Sequence, residues 1–359
     1  MKNLSVQIVA LATFALSGMA CVPAFGQTAT SPYQLTVFAT APNGLTAPDS
    51  IAVLHDHAFV GYGNGNAPGG SDGKSTQIVE YAMDGTVEYT YTAKGHNDGL
   101  KVDPSTDLLW ALQNEDANAN LVIINPATHQ QTFYTFGPTL HGGGYDDLVF
   151  HDCKVYISAS NPTNTPNTGP AIVSAKLEGS FVDVKPVLAG EASAIDIPTD
   201  AIIKLNLQDP DSMTLDPQGN IVLDSQGDQE LIIVSNAGAS NQRVLHLPLS
   251  YQTLSGPMAV EVDDTAFVTS TEGFILFADK GLNKVFALKK KAFTPGAAYT
   301  AADGGPFVGT IDLTTGVITP IVTGLGNPGG LVFVDTTKRH GDFHQEDGDS
   351  CRDRGWDSH

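Results

Sequence analysis

Acidic and amide residues recur at two kinds of place along this chain. Asp49, Asp98, Asp146 and Asp211 each stand two residues ahead of an apolar alternation, in Asp49-Ser-Ile51-Ala-Val53, Asp98-Gly-Leu100-Lys-Val102, Asp146-Asp-Leu148-Val-Phe150 and Asp211-Ser-Met213-Thr-Leu215. The alternation follows glycine instead in Gly256-Pro-Met258-Ala-Val260 and Gly329-Gly-Leu331-Val-Phe333. A second set comes a strand pair later: Asn64, Asn114-Glu115, Asn161 and Asp224-Ser-Gln226. Brought to one point, such oxygens suit a hard divalent cation, Ca²⁺ first, which takes about six to eight of them. The scarcity of Cys and His in these stretches disfavours structural zinc. Asp98, Asp147 and His96 are the candidates for a general base near neutral pH. Asn64, Asn97, Glu115 and His141 are candidates for ligand contact, as are Tyr145, Asp146, Asp211 and Gln226. The alternative for any one of them is a turn residue that bonds its own backbone.

Positioning these residues requires many short strands. The alternations begin 49, 48, 65, 45 and 73 residues apart, and the shorter intervals match one four-stranded propeller blade. Between Asp98 and Asp146, strands are expected at 99–102, 108–112, 121–124 and 132–136, separated by Asp103-Pro104 and Asn125-Pro126 turns. Helical periodicity is scarce. The fold expected is therefore all-β, a β-propeller over 27–335 with six blades, or five. A β-sandwich is the competing arrangement. For the sixth blade, Leu331–Val334 supplies an inner strand and Leu35–Ala39 an outer one. Its middle strands must come from the long interval after Gly256, with 275–278 and 284–288 among the candidates. In a propeller both loop sets emerge on one face, which makes that face the expected site.

The chain of 359 residues is rich in turn formers, with 37 Gly and 21 Pro, yet 41% hydrophobic, enough for a large core. Its net charge of −21 repels nucleic acid and anionic lipid surfaces. A small-molecule ligand and a monomeric state are the expectation. Lys2, the apolar run 6–20 and Ala24-Phe25-Gly26 read as a secretory signal over 1–26, placing the mature protein in the periplasm or outside the cell. No later run is long enough for a membrane span. Cys153 and Cys351 either pair or remain free thiols, and 336–359 reads as a polar, disordered tail.

Ile275-Leu-Phe-Ala-Asp279-Lys-Gly-Leu-Asn283-Lys-Val-Phe-Ala-Leu288 resembles the strand-turn-strand signature of NHL-type propellers. Asp211-Ser-Met-Thr-Leu-Asp216-Pro-Gln-Gly-Asn220-Ile-Val-Leu-Asp224 resembles the blade opening of the senescence marker protein 30/gluconolactonase family. That resemblance implies six blades, one divalent cation on the axis and hydrolysis of lactones or related esters. It implies that Asn114, Asn161 and Asp224 hold the metal. The family's opening Glu has no clear counterpart, and Asp49 or Asn64 occupies that first-blade region.

Overall fold

Runs such as 109–112 and 221–223 are apolar at every position and buried throughout, whereas Val87–Lys94 is mostly exposed. That contrast is what stacked sheets produce, because inner strands are covered on both faces and outer strands meet water. The computed structural model describes residues 26–337. The signal segment up to Phe25 and the polar tail from Lys338 lie outside the described residues.

Among the described residues, six four-stranded antiparallel sheets surround one axis, and the first four are simple meanders. Blade 1 is Pro48–Leu54, His57–Tyr62, Ser75–Ala82 and Val87–Lys94. Blade 2 is Asn97–Asp103, Leu108–Gln113, Asn120–Asn125 and Gln130–Phe136. Blade 3 is Leu148–His151, Lys154–Ser158, Pro170–Glu178 and Phe181–Ala189; blade 4 is Pro210–Leu215, Ile221–Ser225, Glu230–Ser235 and Arg243–Pro248. A buried apolar cluster fills the gap between each pair of neighbours. Leu100 and Phe59 share one between blades 1 and 2, and Val60 and Leu276 share the one that joins the last blade to the first. The ring is closed with six blades.

Blades 5 and 6 exchange a hairpin. Asp264–Phe267 is the inner strand of blade 5, yet the next two strands, Gly273–Asp279 and Lys284–Lys289, pair in blade 6. The chain then returns to blade 5 for Ala298–Ala302, Phe307–Ile311 and Val317–Thr323. Pro328–Asp335 supplies the inner strand of blade 6, and Gln34–Thr40 its outer strand. The long interval thus holds the missing middle strands where expected. One expectation is corrected: Gly256–Ala259 is no inner strand but part of an outer hairpin with Ser250–Thr253, on the edge of blade 5. The fifth inner strand begins instead at Asp263-Asp264. No helix among the described residues is long and apolar enough to cross a membrane.

A second edge hairpin, Ser193–Asp196 with Ile202–Lys204, pairs in parallel with Arg243–Pro248 of blade 4 and is clasped there by one histidine. His246 Nδ1 lies 2.8 Å from Asp196 Oδ1 and Nε2 2.7 Å from Glu230 Oε2. Burial opposes its charge, but the two carboxylates prevail and raise its pKa above 6.5. The stability this adds is therefore full below pH 6.5 and is lost as pH rises through the elevated folded value. His246→Ala should cost about 3 kcal/mol at pH 6, and the gap in urea midpoint between parent and variant should narrow as pH is raised to about 9. A gap that is constant with pH would exclude the charged clasp.

Candidate functional site

The inner strands share a local irregularity that builds the mouth. In blades 1, 2, 4 and 6 the pairing register skips one residue near the strand start, between Pro48 and Ile51, Asn97 and Leu100, Pro210 and Met213, and Pro328 and Leu331. Such a bulge re-aims a side chain. Here it turns Asp49, Asp98 and Asp211 toward the axis, and Asp146 and Asp263 hold the equivalent positions in blades 3 and 5. Gly329 holds the sixth. A Cβ there would lie 2.6 Å from Asp263 Oδ2, 2.8 Å from Asp49 Oδ1 and 2.8 Å from Lys280 Cε. The missing side chain is replaced by Lys280, which reaches in from the exchanged hairpin.

Lys280 Nζ is 2.9 Å from Asp49 Oδ2 and 3.2 Å from Asp263 Oδ1. Asp279 fixes the turn that carries it, accepting hydrogen bonds from the Leu282, Gly326 and Asn327 amides at 2.9, 2.8 and 3.0 Å. One lysine cannot neutralise the ring. Burial raises the pKa of both Asp49 and Asp98 to about 6 and that of Asp263 to about 7, with Lys280 opposing in each case. Burial, then repulsion from neighbouring acids, pushes Asp146 and Asp211 well above the usual range. Asp49 Oδ1 and Asp146 Oδ1 are buried without a hydrogen-bond partner.

His96 joins this ring from the loop entering blade 2. Its backbone is held by Asn114, whose Oδ1 accepts from the His96 amide at 3.0 Å, and Gly63 leaves room for the imidazole. Nδ1 is 3.2 Å from the Asn66 carbonyl, so it carries the proton, and Nε2 faces Glu115 Oε2 at 3.4 Å. Burial lowers the His96 pKa, which keeps the ring neutral at pH 7. The Glu115 carboxyl, raised by burial and by Asp98, donates a hydrogen bond to Asp98. Asp49, His96 and Asp98 offer ligand atoms within 4.8 Å of one another. Gln226 Nε2 donates to Asp263 at 3.3 Å and to Asp303 at 3.2 Å, completing the far side.

A second tier lies below. Asp147 Oδ2 is 2.6 Å from Lys101 Nζ and accepts the Met213 amide of blade 4 at 2.9 Å. Asp264 does likewise for Leu331 of blade 6 at 2.7 Å. Asp224, buried, accepts from the Thr265 hydroxyl at 2.9 Å and faces Asp264. These acids latch inner strands together, and Asp147 is engaged there rather than free at the mouth.

The structure therefore brings together Asp49, His96, Asp98, Glu115, Asp146, Asp211 and Gln226 from the residues singled out in the sequence. It does not bring Asn114, Asn161 and Asp224 to one point. Asn114 and Asn161 have φ of +67° and +50°, where asparagine is favoured for backbone reasons; the first braces His96 and the second is exposed. Asn64 braces Thr46 and Gln77. Asn97 is buried and donates to the Gly99 and Leu112 carbonyls. His141 and Tyr145 are buried side by side, their rings 5.4 Å apart, with His141 Nε2 2.7 Å from the Gly144 carbonyl. Two ring members, Asp263 and Lys280, are absent from the sequence-based candidates. Asp263-Asp-Thr-Ala-Phe267 repeats the pattern of Asp146-Asp-Leu-Val-Phe150, a signal that could have found the first; Lys280 depends on the hairpin exchange.

No family model matches the chain and no curated protein matches its sequence. Solved structures resemble it in shape. Virginiamycin B lyase from Staphylococcus aureus superposes with a TM-score of 0.47 at 10% identity, over 81% of this chain and 87% of that one. A protein of unknown function from Bacteroides thetaiotaomicron gives 0.50 at 9% identity, over 82% and 64%. At this identity the likeness is one of fold alone.

Proposed function

We propose that the mouth of this propeller binds one hard divalent cation, Ca²⁺ before others, and that the cation serves a lactone or ester hydrolase of gluconolactonase type acting outside the cytoplasm. The observation that carries this is the approach of Asp49 and Asp98 carboxylate oxygens to within 4.8 Å of each other and of a His96 nitrogen, which is left to the chemistry and not counted as a cation ligand, beside the buried, unpartnered oxygens of Asp49 and Asp146. Several buried carboxylates around one lysine require protons or a cation. The donor set is mostly carboxylate oxygen, which suits Ca²⁺. Placement outside the cytoplasm is supported by Cys153, which is disulfide-bonded.

The cation, when bound, would polarise a substrate carbonyl and lower the pKa of a water molecule. His96 is the residue suited to take the proton from that water. Its tautomer is fixed by the Asn66 carbonyl and its Nε2 lone pair points into the ring. Asp98 and Glu115 share one proton and orient the far side of the imidazole's pocket. Lys280 holds Asp49 and Asp263 in place from the opposite wall.

Calorimetry with and without chelator tests the cation. About one Ca²⁺ per chain is expected, and a free concentration 100-fold above Kd should add about 2.7 kcal/mol of stability. An unchanged melting temperature would remove the proposal. For the reaction, a lactone and ester panel should give Ca²⁺-dependent turnover that His96→Gln abolishes while leaving Ca²⁺ stabilisation in place. Tight Ca²⁺ binding with no turnover across the panel would favour a non-catalytic ligand-capturing mouth. The fixed loop between Tyr62 and Ser75, pinned where the Asn118 side-chain amide donates to the Gly69 carbonyl at 3.0 Å, would serve that function as a recognition wall.

A further inference from the structure

A separate cluster lies on blade 1 at the end away from the mouth. His57 opens the second strand, Glu80 lies in the third and Glu88 in the fourth. Pairing of Phe59 with Glu80 puts Glu80 on the face of the sheet that His57 also uses, two residues along. One imidazole nitrogen and two carboxylate oxygens come within 4.8 Å of one another. His57 Nε2 is 2.8 Å from Glu88 Oε2 and 4.0 Å from Glu80 Oε1.

Each of two donors is held from behind. His57 Nδ1 lies 3.0 Å from Asp56 Oδ1, which orients the ring and leaves Nε2 facing the glutamates. Glu80 Oε2 accepts from the Tyr91 hydroxyl at 2.8 Å, and that hydroxyl is 3.0 Å from His129 Nδ1. His129 in turn stacks on Tyr89, ring centroids 3.8 Å apart and 7° from parallel. Outer partners that fix the tautomer of a histidine and the angle of a carboxylate are the support a metal ligand requires. Glu80 is 7% exposed and closes the floor, whereas the Glu88 side chain is 44% exposed and leaves the top open to water.

We propose that His57, Glu80 and Glu88 form a metal site for a transition ion of the Zn²⁺ class, independent of the mouth. Three protein donors, one of them imidazole, with room for water suit Zn²⁺ and fall short of the oxygen count that Ca²⁺ takes. The bound ion would tie three adjacent strands of blade 1 at their far end.

The test is competition for Zn²⁺ between the full-length protein and a chromogenic chelator. The parent should hold one Zn²⁺ more than Glu88→Gln, whose exposed side chain makes misfolding no concern, and than His57→Gln. Each should weaken the site by about 100-fold or more, and Asp56→Asn by about 10-fold, because the imidazole loses the carboxylate that orients it. Asp98→Asn, which alters the mouth alone, should keep the site, and the tail histidines are common to every variant. Co²⁺ loaded into the parent should give a visible absorption band that His57→Gln lacks. Equal Zn²⁺ stoichiometry and affinity in the parent, His57→Gln and Glu88→Gln would overturn the proposal and leave an ion-pair network around His57.

Discussion

In chelator, the protein should become less stable as the pH is raised from about 5 to about 8, and Ca²⁺ should flatten or reverse that slope. The sign follows from the direction of the shifts. Asp49, Asp98, Asp263 and Asp264 have folded pKa values raised from 3.8 to between about 6 and about 7, chiefly by burial. Above pH 4 the unfolded chain has released these protons while the folded chain still holds them, so raising the pH favours unfolding. A single carboxylate such as Asp49 accounts for about 1.4 kcal/mol between pH 5 and pH 8, the part of its shift that lies above pH 5. A bound cation removes the reason for the protons to stay. Asp98→Asn should therefore melt higher than the parent in chelator and lower than the parent in saturating Ca²⁺. Urea titrations at several pH values, with and without Ca²⁺, read both effects. A parent whose chelated stability rises between pH 5 and pH 8 would mean that the ring is not buried as described.

Gly99→Val should prevent assembly of the folded protein or cost more than about 4 kcal/mol. A Cβ at Gly99 would press into the Asp146 carbonyl oxygen and lie 2.7 Å from the Asp147 Cα, both main-chain atoms of the segment that leads into the next inner strand. The Gly99 amide also donates to that Asp146 carbonyl at 2.9 Å, so the strands cannot part without losing the bond. Overpacking against backbone has no rotamer through which to relax. Gly65 offers the contrast. It has φ +64°, and a methyl group added there would meet nothing within 4 Å, so Gly65→Ala should cost only about 1 kcal/mol from backbone strain. Denaturant midpoints of the two variants measure the difference, and a Gly99→Val protein as stable as Gly65→Ala would contradict the close approach of blades 2 and 3.

Much of the architecture is written locally. Each five-residue start at Asp49, Asp98, Asp146 and Asp211 is followed by its own hairpin turns, so spacing and alternation reveal blades 1 to 4 without knowledge of distant partners. The fifth start is misplaced by the sequence pattern because Gly256-Pro-Met258-Ala-Val260 imitates the glycine-led start at Gly329, while its real neighbourhood is an edge hairpin paired to Val317–Thr323. The acids of the ring are legible for the same reason as the blades: they occupy a repeated position. The asparagines are not, because a residue type chosen for positive φ looks identical in a sequence to one chosen for its oxygen. Lys280 lies beyond local reading altogether. Its place beside Asp49 and Asp263 is set by pairing of Gly273–Asp279 with a strand that begins about 50 residues later.

That pairing has a consequence for how such a ring can be inherited and made. Elsewhere in the molecule a blade is one contiguous stretch, and a duplication or deletion of about 50 residues would add or remove one whole sheet. Between Asp264 and Asp335 the same event would cut two sheets at once, because the strands of blades 5 and 6 alternate along the chain. During synthesis the hairpin 273–289 finds Gln34–Thr40 already waiting, but its inner neighbour Pro328–Asp335 is made last. Two-sixths of the circle is thus committed to a single closing event, and hydrogen exchange should show the amides of Phe277, Phe286 and Tyr299 opening together as one cooperative unit.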